Sequence, residues 1–128
     1  MKALTNQLIM LSKKLCETDD IIIQGIKHID FILCLKEEEN VFFYKVSKDK
    51  ISVINCEKDK ADVTIAGTTE NWLLVLQGLD GGIHRAFRHE VLHFYGNYFV
   101  MLNLWKVIWR IGENLSKVYL SQEKSKGI

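Results

Sequence analysis

Residues 98–111, YFVMLNLWKVIWRI, constrain the fold more than any other segment of this chain. Only Asn103, Lys106 and Arg110 are polar there, and they fall at i, i+3 and i+7, on one narrow stripe of a helix. A surface helix normally keeps a broad polar face in water. This one has to cover most of its circumference, and one sheet face does not do that. At ~1.5 Å per residue the segment is about 21 Å long and it keeps a polar stripe, so it does not span a bilayer. Its surplus apolar surface has four candidate partners: other helices of the same domain, a second protomer, a membrane surface, or an apolar molecule held inside.

The rest of the chain supplies the layers. Leu4, Leu8, Leu11 and Leu15 repeat at helical spacing and predict a helix over residues 3–17, inside an N-terminal helical segment 1–20. Residues 21–28 are ambiguous: Ile21, Ile22 and Ile23 favour a strand, and Gly25 interrupts it. Three β-rich runs follow at 30–35, 41–46 and 51–56, separated by the charged segments KEEEN, SKDK and EKDK. They predict an antiparallel meander, with the charge runs as solvated turns. Residues 61–66 alternate, with Val63 and Ile65 on one side and Asp62 and Thr64 on the other, as in a half-buried strand. Thr68 or Thr69 can cap a helix over 69–77, which Gly78 stops. A short helical turn ending near Arg88 and a fifth strand over 91–95 complete the pattern, and the polar tail 121–128 is expected to fray.

With 128 residues, 48% hydrophobic, the chain has enough for one domain with a real core, spanning 1–128. The net charge is +1, without the basic surplus that gripping nucleic acid demands, so no nucleic-acid partner is expected. Cys16, Cys34 and Cys56 are odd in number and show no C-x-x-C spacing, which argues for reduced thiols rather than a disulfide framework or zinc ribbon. The uninterrupted apolar stretch near the N-terminus is only Leu8–Leu11, too short for a signal peptide. A cytoplasmic location is the resulting expectation.

One catalytic pattern competes. His89, Glu90 and His93 spell H-E-x-x-H, and Glu113 lies 20 residues further on. On a helix such histidines can share a zinc ion, with the Glu as general base of a hydrolase. On a strand they would lie ~13 Å apart and could not. The Leu92/Phe94 alternation before Gly96 favours the strand. There is no G-x-S-x-G, P-loop or G-x-G-x-x-G, and no cofactor is expected.

Residues 61–104 resemble the sterol-carrier / nonspecific lipid-transfer protein family. The segment ADVTIAGTTENWLLVLQG carries that family's strand, capped helix and glycine at Ala61, Asp62, Thr64, Leu73, Leu76 and Gly78. The segment AFRHEVLHFYGNYFVMLNL then matches its Ala-Phe pair, alternating strand, Gly-Asn turn and apolar helix. The matching positions are Ala86, Phe87, Leu92, Phe94, Gly96 and Asn97, with Met101 and Leu104 in the helix. The chain departs from the family in lacking a Pro in the loop after Gly78 and in placing Glu90 where a Gly often precedes the last strand.

The resemblance implies an α+β fold: a five-stranded, largely antiparallel (mixed) sheet with helices packed on one face and a hydrophobic tunnel between sheet and helices. It also implies non-catalytic binding or carrying of long-chain lipids, such as fatty acid, acyl-CoA, sterol or phospholipid. Candidate lining residues are Trp72, Leu76, Phe87, Leu92 and Phe94, followed by Met101, Leu104, Trp105, Ile108 and Trp109. His84, Arg85 or Arg88 could meet a head group at the mouth. Burying each CH₂ is worth about 0.8 kcal/mol, so a 16-carbon chain has ~13 kcal/mol gross to gain, and association costs reduce that to roughly micromolar binding. An accessory or interaction domain for an enzyme of lipid-like metabolites, a homodimer, and transient membrane contact stand as the alternatives.

Overall fold

A computed structural model of the chain describes residues 2–27, 29–55, 60–78 and 90–126, with residues 125 and 126 described by their backbone alone. Helix α1 (Asn6–Glu17) starts at Thr5, whose Oγ1 accepts from the Leu8 amide at 3.1 Å. Its buried face is Leu8, Ile9, Ser12 and Cys16. Leu11 and Leu15, expected on the same stripe as Leu8, are exposed at its border. The ambiguous isoleucine run is helical: α2 (Asp20–Gly25) begins where the Asp19 carboxylate accepts from the Ile21 amide at 3.0 Å. A cap thus outweighs the β preference of three isoleucines. Gly25 is needed for close packing, because a Cβ there would run into Val107 Cγ2.

Five strands follow the predicted runs: β1 (Phe31–Glu37), β2 (Asn40–Ser47), β3 (Lys50–Ile54), β4 (Val63–Gly67) and β5 (His93–Gly96). They form one sheet in the order β3-β2-β1-β4-β5, antiparallel except for the parallel β1–β4 pair. The expected mixed, largely antiparallel α+β architecture is therefore present. Alternation sends Phe31, Leu33 and Leu35 of β1, with Tyr44, Val46, Val63 and Ile65 of its neighbours, into one core. Helices α3 (Thr69–Leu76), α4 (Tyr98–Asn103) and α5 (Trp105–Lys126) complete that core with α1 and α2.

Asp62 stitches the β1–β4 start together. Its amide donates to Ile32 O at 2.8 Å and its carboxylate accepts from the Ile32 amide at 2.8 Å. Its carbonyl also accepts from the Asn97 amide at 2.6 Å. Gly96 has φ +125°, and a Cβ there would strike that same carbonyl, so the turn out of β5 requires glycine.

Three expectations are corrected. The KEEEN charge run is not all solvated turn: Glu37 closes β1 and is 0% exposed, because its carboxylate accepts from the Ala3 and Leu4 amides at 2.7 and 2.8 Å. The segment 98–111 is not one helix but two, broken at Leu104 (φ −110°, ψ 17°). Met101, Leu104, Val107 and Ile108 all reach the core across that break. The polar tail is helical to Lys126, since Val118 and Tyr119 pack on the core and extend α5 well past the apolar stretch.

Candidate functional site

The strand–helix junction after β4 builds one wall. Thr68 caps α3 by accepting from the Asn71 amide at 3.1 Å, and the next turn drives Trp72 into the core. The Trp72 indole N–H donates to Lys36 O at 2.8 Å, so this large ring is buried with its polar atom satisfied. Across from it Leu76, Leu92, Met101, Leu104 and Ile108 are buried in the same cluster. Phe94 of β5 and Trp105 of α5 pack on its edge with ring centroids 5.5 Å apart, tilted by 53°. Eight of the ten residues singled out in the sequence therefore belong to the hydrophobic core or pack against it, as do Leu4, Leu33 and Ile65 from other parts of the fold. Trp109 does not join them and is 39% exposed. Phe87 lies outside the described residues, as do His84, Arg85 and Arg88.

Trp105 also lines a depression of about 700 Å³ between α2 and the α4–α5 break, with Ile21, Gly25, Leu102 and Val107 around it. That volume is in the usual range of about 300–1,000 Å³ for small-molecule sites. The Phe94–Trp105 pair links the depression to the core cluster. Above it α4 leaves Tyr98 65%, Phe99 79% and Leu102 68% exposed. Part of the surplus apolar surface of residues 98–111 therefore faces outward.

A polar cluster that the sequence did not announce ties α1, α2 and α5 together beside this depression. Arg110 Nε donates to Asp19 Oδ2 at 2.6 Å and Arg110 Nη1 donates to Glu113 at 3.1 Å. Asn114 Nδ2 donates to the same Asp19 oxygen at 3.2 Å and to Cys16 Sγ at 3.3 Å. Burial opposes ionisation of Asp19, but the hydrogen bonds from Arg110 and Asn114 outweigh it and hold the carboxyl below the usual carboxylate range. Burial pushes the Cys16 thiol up to about 11, against the smaller pull of the Asn114 amide. Cys16 and Cys34 are free and buried, and Cys56 lies outside the described residues. Only the Asp19 cap had a local signature, an Asp ahead of an apolar run. Its partners are 91 and 95 residues away.

The H-E-x-x-H pattern does not form the helical metal motif. Glu90 has φ +56° and His93 starts β5 opposite Ala66, so no helix runs through this stretch, while His89 lies outside the described residues. Glu113, the candidate third ligand, is held by Arg110 on α5. Among the described residues, no three His, Cys, Asp or Glu side chains converge on a common point. No described helix is long and apolar enough to cross a membrane.

Comparison with known proteins agrees with this geometry. Residues 11–108 match the model of the SCP-2 sterol transfer family. No curated protein matches the chain in sequence. A crystal structure of sterol carrier protein 2 superposes with a TM-score of 0.69 at 10% identity, covering 88% of this chain and 95% of that one. A UbiJ-SCP2 ubiquinone synthesis protein gives 0.59 at 12% identity, covering 85% and 92%. The sterol carrier protein domain 2 of Helicoverpa armigera gives 0.54 at 16% identity, covering 84% and 87%. At these identities the structural likeness speaks for the fold.

Proposed function

Because the chain belongs to the SCP-2 sterol transfer family, a family of lipid-binding and lipid-transfer domains, we propose that it binds long-chain lipids without catalysis. The ligand class is fatty acid, acyl-CoA, sterol or phospholipid, held by shape and apolar contact between the sheet and the α3–α5 layer. The single observation that carries this reading is the 700 Å³ depression lined by Leu102, Trp105 and Val107, beside a core that holds Trp72, Leu76, Leu92, Met101, Leu104 and Ile108. Trp105, which also packs against Phe94, lines that depression, which gives an acyl chain a way in from solvent. In this reading a hydrophobic tunnel lies between the sheet and the helices. The chain works as one domain over residues 1–128, in the cytoplasm, and needs no cofactor.

Native mass spectrometry after gentle purification tests this directly, with a lipid adduct as the expected result. Labelled fatty acid should bind at micromolar level. Failure of fatty acid, acyl-CoA, sterol and phospholipid alike to bind would end the proposal.

A second reading makes the chain an accessory domain serving an enzyme of lipid-like metabolites, or a homodimer. It is favoured by the exposed Tyr98, Phe99 and Leu102 on α4 and by the likeness to a ubiquinone synthesis protein. The same three side chains suit transient contact with a membrane surface. Sedimentation separates an assembly from a monomeric carrier.

A further inference from the structure

We propose that the outer groove along α5 is a docking site for an acidic amphipathic helix of a partner protein. The groove is continuous. The 700 Å³ depression at the α4–α5 break shares Asp20 and Ile21 with a middle stretch of about 320 Å³, beside Arg110 and Asn114. That stretch shares Leu15, Thr18 and Lys117 with a third of about 480 Å³, which reaches Val118 and Gln122. From Lys106 to Gln122 the path follows α5 for about 24 Å, the length of a helix of about 16 residues.

Its chemistry selects the occupant. Leu11, Leu15, Ile21 and Leu102 are exposed apolar side chains that line these stretches. Asp19 is taken up by Arg110, which leaves Lys14, Lys106 and Lys117 facing one other lining carboxylate, Asp20. An apolar floor with a cationic rim complements a helix carrying leucine-like residues on one face and Glu or Asp beside them. A concave channel of helical length fits such a rod better than it fits a flat bilayer.

The probe is a fluorescein-labelled peptide of about 16 residues, with Leu on one face and flanking Glu, titrated with the full chain and read by anisotropy. Saturable binding that weakens as salt is raised is expected. The single substitutions Lys106→Glu and Lys117→Glu should each weaken it about tenfold, with unchanged circular dichroism. Equal affinity for a Lys-for-Glu version of the peptide, absence of saturable binding, or indifference to both substitutions overturns the proposal. So does binding to anionic vesicles in place of the peptide, or self-association that Lys117→Glu abolishes, since these give the groove to a membrane or to a second copy. The lipid reading fails separately: fatty-acid uptake should survive Lys117→Glu, since Lys117 lies outside the depression that admits the acyl chain.

Discussion

The Glu37 carboxylate accepts a hydrogen bond from the Leu4 amide at 2.8 Å and another from the Ala3 amide at 2.7 Å, joining the end of β1 to the segment ahead of α1. The charge is buried, and its stability rests on those two donors. Glu37→Gln keeps the shape but turns an NH₂ toward one of the donors. It should cost about 1–3 kcal/mol in urea unfolding, and Glu37→Ala, which strands both amides, should cost more. A loss below the error of the measurement would show that the N-terminal segment is held by Leu4 packing alone.

The Asp19–Arg110 pair predicts acid sensitivity. Asp19 has a lowered pKa in the folded protein, so its contribution is fully present above the ordinary carboxylate value. It is lost as pH falls through the folded value. Arg110→Met should reduce stability at neutral pH by about 1–2 kcal/mol, between a surface pair and a fully buried one. It should also shift acid unfolding toward higher pH. Parallel acid-unfolding curves for the variant and the wild type would contradict this.

Cys16 predicts the opposite dependence at alkaline pH. Its folded pKa is raised from 9.0 to about 11, so the folded state holds a proton that the unfolded chain releases. Stability should therefore decline as pH rises from about 9 towards 11. Cys16→Ala should flatten that decline, which thermal melts across the range would reveal. Alkylation of Cys16 in the native protein should also be slow.

Tyr98 and Phe99 predict a separation of stability from membrane contact. Both are mostly exposed on α4, so Tyr98→Ser with Phe99→Ser should change unfolding by less than about 0.5 kcal/mol. Uptake of fatty acid from solution should be unchanged. Co-sedimentation with phospholipid vesicles should fall by about tenfold if these rings anchor the protein at the interface. Unaltered vesicle binding would place any membrane contact elsewhere on the molecule.

Local patterning was enough to determine the strands, the capped α3, the Gly96–Asn97 turn and many of the residues that reach the core. Period-2 alternation and cap chemistry act over a few residues, and those residues are adjacent in the chain. The family's motif over 61–104 likewise lies within one stretch. Tertiary structure alone decided what depends on distant partners. Lys36 through Asn40 look like a single solvated run, yet Glu37 meets amides 33 and 34 residues away and becomes core. Asp19 is locally a helix cap, and a guanidinium 91 residues on makes it a structural anion. The greasy segment 98–111 advertises how much apolar surface it has. Where that surface goes was settled by the break at Leu104, which turns Met101 and Ile108 inward and leaves Phe99 and Leu102 outside. Hydropathy is a property of each side chain, whereas burial is a property of whatever the fold brings against it.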